Sequence, residues 1–191
     1  MLALCRNLYH ANRSMPQGKW LKKEYGGSEI NGKTLGLLGI GRIASSLGRK
    51  AKALGMEVIY TNRSGPKDFA HEFEYVDMDT LLERSDFISA HIPFSGGEAV
   101  IGKNEINKMK DGVFLINTAR GGVIDEDALV DAIEAGKVRA AAVDVFVEEP
   151  TTNKRLLECD RVSLTPHIGA ATNEAQARIG DNIVDIIKEK L

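Results

Sequence analysis

Apolar runs of strand length alternate along this chain with segments of helical period, and the first run passes straight into a glycine signature. No other feature constrains the fold as much. Strands buried on both faces read as unbroken apolar runs, and parallel pairing needs a long crossover between them, usually a helix. Strands are predicted at Thr34–Leu38, Glu57–Thr61, Tyr75–Val76, Phe87–Ser89, Val113–Asn117, Ala140–Val143 and Val162–Leu164. Helices are predicted at Ile43–Leu54, Met78–Arg84, Lys103–Lys108 and Asp125–Ala135, several opened by Asp, Asn or Gly. The expected architecture is α/β: a right-handed, doubly wound parallel sheet with helices on both faces. Loops are expected at Gly26–Ser28, Gly65–Asp68 and Ser95–Gly97, none of them a domain linker.

The two ends read differently. The chain opens in an expected helix from Leu2 to about Asn12 and closes in another from about Asn173 to Leu191. An opening helix that displays Leu2, Leu4 and Leu8 with no strand before it needs a cover outside the sheet, from another domain or another subunit. Residues 1–191 are therefore expected to form one domain, with the rest of the molecule built from flanking sequence.

Composition narrows the function classes. A length of 191 residues, 43% hydrophobic and 27% charged, suffices for a full core. The net charge of −2, with both signs interspersed, supplies no basic face for nucleic acid or an anionic membrane. No apolar run approaches the roughly 20 residues of a membrane span, and Arg6 and His10 interrupt the first segment, unlike a signal peptide. Cys5 and Cys159 stand far apart in no metal-like spacing, so reduced thiols and a cytoplasmic setting are expected.

The chemistry gathers where strands end. Gly39-Ile-Gly41-Arg-Ile-Ala44 follows the first strand and opens a helix, the context in which this spacing signals a dinucleotide. Gly39 permits the tight turn, Gly41 lets a pyrophosphate approach the backbone, and Ala44 allows close helix packing. A tight turn with no ligand is the bland alternative. After the second strand comes Thr61-Asn62-Arg63-Ser64, where an acidic residue would accept from the adenosine ribose. Asn62 removes the acid that repels a 2′-phosphate, while Arg63 and Ser64 add a cation and a donor, so NADP(H) is slightly favoured over NAD. Three more motifs follow strands: Asn117-Thr-Ala-Arg120-Gly-Gly122, Asp144-Val-Phe-Val-Glu-Glu149-Pro150 and Thr165-Pro-His167-Ile-Gly169. Singly, Arg120 reads as a surface ion pair, Glu148 and Glu149 as a solvated turn, and His167 as a satisfied histidine. In a parallel sheet all of them open on one carboxyl edge, which brings a guanidinium, carboxylates and an imidazole to the same place.

Taken in order, these motifs resemble the D-2-hydroxyacid dehydrogenase family, especially its phosphoglycerate dehydrogenase and hydroxypyruvate or glyoxylate reductase branches. The resemblance runs from Leu2-Ala-Leu-Cys-Arg-Asn through Asn31-Gly-Lys-Thr-Leu-Gly, Met109-Lys110 and Asp144-Val-Phe to Thr165-Pro-His-Ile-Gly-Ala-Ala-Thr172. It implies a Rossmann-like domain in which Arg120 orients the substrate, His167 is the acid/base and Glu149 hydrogen-bonds the histidine. Together with Asn62, Arg63 and Ser64, read above from their own chemistry, it gives a cofactor-binding set of Gly39, Gly41, Arg42, Ile43, Pro93, Thr118, Ala119, Asp144 and Gly169. Arg42 and Ile43 would lie at the pyrophosphate, with Thr118, Ala119 and Asp144 near the nicotinamide carboxamide. It further implies a small 2-hydroxy or 2-oxo acid substrate and a homodimer formed through the opening helix. No metal is expected, because the four histidines show no ligand spacing such as HExxH. The sequence departs from the family at Asn62, where Asp is usual, at Val147, where many members carry Glu, and at Ser95-Gly96-Gly97, where a proline-containing segment is usual. A dinucleotide-sensing corepressor on the same fold is the alternative function; a formate-type dehydrogenase, which pairs its histidine with glutamine, is disfavoured by Glu149.

Overall fold

The structure, a computed structural model, describes residues 1–190. Seven parallel strands form one sheet in the order β3-β2-β1-β4-β5-β6-β7. They are β1 (Thr34–Leu38), β2 (Glu57–Thr61), β3 (Glu74–Tyr75), β4 (Phe87–Ala90), β5 (Val113–Asn117), β6 (Val138–Val143) and β7 (Val162–Leu164). From β1 the chain steps outward to β2 and β3, then returns to the other side of β1 for β4, so the strand order reverses between β1 and β4. That reversal is where open α/β sheets leave a crevice. Register makes the edge level: Leu38 lies beside both Thr61 and Ala90, Ala90 beside Asn117, Asn117 beside Val143, and Val143 beside Leu164. Every loop leaving these strands therefore opens in one row.

Eight α-helices complete the described chain: α1 (Leu2–Cys5), α2 (Leu8–Ser14), α3 (Arg42–Ala53), α4 (Met78–Arg84), α5 (Lys103–Lys108), α6 (Glu126–Glu134), α7 (Lys154–Glu158) and α8 (Asn173–Lys190). The period-2 alternation of the strands splits the core in two. Leu35, Leu37, Phe87, Phe114 and Ile116 face α1 and α3, whereas Leu38, Ile88, Val113 and Leu115 face the helices that follow β3. Phe87 and Phe114 stack across neighbouring strands with ring centroids 4.6 Å apart. Side chains close the starts of α4, α6 and α7: Asp77, Asp125 and Asn153 accept from the amides of Thr80, Ala128 and Leu156. Such a cap is worth about 1 kcal/mol.

The opening segment corrects the sequence reading. One helix over Leu2–Asn12 was expected, but Asn7 adopts a left-handed backbone (φ 51°) and divides it into α1 and α2. The Asn7 amide donates to the carbonyl of Gly26, and asparagine tolerates this conformation better than most residues. The turn changes what is exposed. Leu4 and Cys5 are buried in the same core as Leu35, Leu37, Phe114 and Ala140, so Leu4 has the intrachain partner that the sequence reading denied it. Leu2 and Leu8 remain exposed. Smaller differences concern boundaries: β3 starts one residue early, β6 extends back to Val138, and one-turn α7 carries no periodic signal at all. Along α8, the expected closing helix, Ile179, Ile183, Val184, Ile186 and Ile187 all stay about half exposed. Its expected last residue, Leu191, lies outside the described residues.

Candidate active site

At the β1 exit, Gly39 takes a left-handed φ of 91°, and a Cβ there would meet the Ile92 side chain at 2.7 Å and the His91 carbonyl at 3.0 Å. Glycine is required by both the conformation and the space. At Gly41 the opposite holds: nothing lies within 4 Å of a Cβ position, so the backbone faces an open cradle. Gly41 caps α3 without any side-chain hydrogen bond, and no acid occupies the first turn of the helix. The first-turn amides of this 12-residue helix thus point unpaired toward the cradle, where an anion would find both donors and a favourable dipole. Arg42 and Ile43 are exposed beside it, and Ala44 is fully buried against the sheet. These features fit a pyrophosphate.

At the β2 exit the Asn62 amide donates to Ser64 Oγ at 3.0 Å and to the Gly65 carbonyl at 3.4 Å. Asn62 thereby builds the turn itself, and Arg63 and Ser64 are exposed on it. Pro93 is exposed beyond the β4 exit. Just before it, His91 Nε2 lies 3.0 Å from Ser89 Oγ, and burial lowers its pKa to about 4, so the ring is neutral at physiological pH.

The exits of β5, β6 and β7 interlock. Buried Asn117 donates to the carbonyl of Arg120 at 2.9 Å and accepts from the amide of Ala119 at 3.1 Å, which forms the turn that presents Thr118, Ala119 and Arg120. The Arg120 guanidinium is exposed and donates only to the Ala119 carbonyl among the described residues, so it is not brought against Glu149 or His167. Next to it, a Cβ on Gly121 would overlap the Phe146 carbonyl oxygen at 1.7 Å, so the β5 and β6 exit loops touch backbone to backbone.

Asp144, 4% exposed, serves the neighbouring loop. One oxygen accepts from Thr165 Oγ1 and the Ile168 amide, the other from the Gly169 amide at 2.8 Å. Burial pushes its carboxyl up, but those three donors and the nearby His167 outweigh burial and hold it below the ordinary range. The loop so held carries His167 in a left-handed backbone conformation (φ 54°), which is uncommon outside glycine. His167 Nδ1 lies 2.8 Å from Glu149 Oε2, and the other Glu149 oxygen accepts from the Phe146 amide at 3.1 Å. The hydrogen bond from His167, followed by that from Phe146, keeps the Glu149 carboxyl below its usual value. Both groups line a cleft of about 440 Å³ with Phe146, Pro150, Leu157, Leu164 and Pro166, an apolar wall around one acid–imidazole pair. Asn117 and the loop-bracing role of Asp144 were not read from sequence, although both sit at strand ends next to the motifs.

Comparison with known proteins agrees with this fold and motif order. The pattern of the D-isomer specific 2-hydroxyacid dehydrogenase, NAD binding domain, matches residues 1–169. A hydroxypyruvate reductase of Thermotoga maritima is 47% identical over all of this chain and 63% of its own length. A D-3-phosphoglycerate dehydrogenase of Archaeoglobus fulgidus is 44% identical over 98% of this chain and 37% of its own length. The crystal structure of a glyoxylate reductase from Paecilomyes thermophila superposes with a TM-score of 0.92 at 39% identity, covering 98% of this chain and 58% of that one. The chain thus spans between about a third and two thirds of the proteins it matches. With its doubly wound sheet, open glycine cradle and motif order all in agreement, the chain belongs to the D-isomer specific 2-hydroxyacid dehydrogenase family, of which it carries the NAD-binding domain.

Proposed function

We propose that this chain is the dinucleotide-binding part of an oxidoreductase that interconverts small D-2-hydroxy acids and 2-oxo acids of the glycerate, glyoxylate or phosphoglycerate class. The observation that carries this reading is the 2.8 Å Glu149–His167 pair, set in an apolar cleft on the same sheet edge as the glycine cradle. Glu149 accepts from Nδ1–H, which fixes the imidazole tautomer and leaves Nε2 to exchange a proton with the substrate oxygen. Arg120, exposed and free to swing from the Ala119 carbonyl, takes the substrate carboxylate. A bound nicotinamide supplies or accepts the hydride. Gly39, Gly41, Arg42 and Ile43 would hold the pyrophosphate, Pro93, Thr118, Ala119 and Gly169 would line the remainder of the dinucleotide groove, and Asp144, buried with both oxygens engaged, would brace the loop at its edge.

Residues 1–191 act as one domain in this reading, and the further length of the relatives supplies the opposite wall of the cleft. The half-exposed apolar residues of α8 offer a surface for that part to pack on. Two copies associate through the α1–α2 segment, where Leu2, Leu8 and Tyr9 are exposed. The thiols of Cys5 and Cys159 are free, which suits the reducing cytoplasm. Turnover of glyoxylate, hydroxypyruvate and D-3-phosphoglycerate by the whole protein tests the activity. His167→Ala is expected to lower the rate by about 10²–10⁴ while dinucleotide affinity holds. Equal rates in the two proteins would overturn the assignment.

Cofactor choice follows from the β2 exit. Because the Asn62 amide is engaged by its own turn, Arg63 and the Ser64 hydroxyl are the groups left to take a 2′-phosphate. NADP(H) is expected to bind more tightly than NAD(H) by roughly 1–3 kcal/mol, the worth of a charge-assisted contact. Asn62→Asp is expected to reverse the order. Calorimetric titration with both cofactors checks this, and a clear NAD(H) preference in the unaltered chain refutes it.

A further inference from the structure

We propose that Glu126 is a positioning residue: its carboxylate joins the two ends of the 147–153 loop and so holds Glu149 against His167. The inference rests on the reading of Glu149 and His167 as the proton-transfer pair. Glu126 lies in the first turn of α6, on an element separate from every loop that carries a reacting side chain. One of its oxygens accepts from the Val147 amide at 2.9 Å and the other from Asn153 Nδ2 at 3.2 Å. Glu149 stands between these two anchors.

The geometry transmits directly. The Phe146 and Val147 amides are consecutive donors, the first to Glu149 and the second to Glu126, so a rotation of this backbone moves both contacts together. At the far end Asn153 cannot turn its amide over, because its oxygen caps α7 by accepting from Leu156 at 3.2 Å. Its Nδ2 is thereby aimed at Glu126. Helix α7 is in turn fastened to α6 by Arg155, which reaches Asp131 at 2.7 Å and Glu134 at 3.2 Å. The loop's own bonds are short-range: Thr152 Oγ1 to Glu148 at 2.9 Å and the Asn153 amide to Thr151 Oγ1 at 3.3 Å. Neither ties the loop to the rest of the fold. Val147 is 69% exposed, so water can replace its lost partner and a variant at Glu126 keeps the fold.

The test reads Glu149 itself, by carbon NMR of the labelled carboxyl across an acid titration of this chain. Glu149 is held below the ordinary range chiefly by the hydrogen bond from His167. In Glu126→Ala the loop relaxes, that bond weakens, and the midpoint is expected to rise by about half a unit or more. Loss of a neighbouring negative charge acts in the opposite direction and would lower it, so the sign separates positioning from simple electrostatics. Glu126→Gln keeps an acceptor for Val147 and loses the one for Asn153, and is expected to rise by a smaller amount. In the whole enzyme, Glu126→Ala is expected to reduce kcat about tenfold at unchanged KM for the dinucleotide, with Gln restoring most of it. A Glu149 midpoint that stays or falls in both variants overturns the proposal. The titration needs no turnover, so an inactive wild-type enzyme would refute the proposed reaction without touching this result.

Discussion

Acidification from pH 6.5 to pH 4 is expected to weaken this fold by about 3 kcal/mol through His91 alone. The ring sits at the β4 exit beside Ser89, which is 1% exposed, and burial lowers its pKa from 6.5 to about 4. The unfolded chain binds its proton near the ordinary value, while the folded chain refuses it until about pH 4. Stability from this group is therefore complete above pH 6.5, declines as pH falls through that window, and levels off near the folded value. At about 1.36 kcal/mol per unit, the interval amounts to about 3 kcal/mol, a large share of the 5–15 kcal/mol typical of a domain. Urea unfolding of the wild type and of His91→Asn at a series of pH values measures it. Asparagine can still bond Ser89 but does not titrate, and every other ionisable group cancels in the difference. The wild type is expected to lose about 3 kcal/mol more than the variant between the two ends of the window. A difference that is flat with pH refutes the argument, and with it the idea that this imidazole stays neutral because it is buried.

Two further outcomes test the loops of the cleft. Glu149 is ionised throughout neutral pH, its carboxyl held low first by His167 and then by the Phe146 amide. In Glu149→Gln the His167 ring loses the carboxylate that accepts from its Nδ1–H, so turnover of the whole enzyme is expected to fall in both reaction directions while dinucleotide affinity holds; unchanged turnover would break the pairing. In Gly121→Ala the new Cβ meets a backbone carbonyl at 1.7 Å rather than a yielding side chain. A loss of roughly 1–3 kcal/mol is expected in denaturant unfolding, with turnover falling further than dinucleotide affinity, and an unchanged midpoint would contradict the close approach.

Much of the fold was legible because its signals are local and periodic. The runs Thr34–Leu38 and Val113–Asn117 are buried at every residue, as central parallel strands must be, and Asp125 marks the start of α6 with its own cap. What the sequence reading missed has no period. A single left-handed residue, Asn7, was enough to break the opening helix and turn Leu4 into the core, and α7 is too short to display a face. The same limit explains the one-residue offset at β3, whose two exposed residues show no burial pattern to fix its bounds.

The candidate site divides along a similar line. The placement of Gly39, Gly41, Arg120, Glu149 and His167 on one sheet edge was legible because each stands in a short motif at a strand end, and level register brings strand ends together whatever lies between them. The residues that hold those motifs in place were not. Asn117 shapes the turn under Arg120, Asp144 braces the turn under His167, and Glu126 ties down the loop under Glu149, each by accepting from or donating to backbone groups of a loop. A polar side chain that satisfies a backbone amide leaves no mark at the amide's position, since any residue but proline supplies the same donor. The partner of Val147 therefore cannot be inferred from Val147. Such bonds are set by where the sheet places the loops, and they present the acid–imidazole pair and the Arg120 turn on the same sheet edge as the glycine turn.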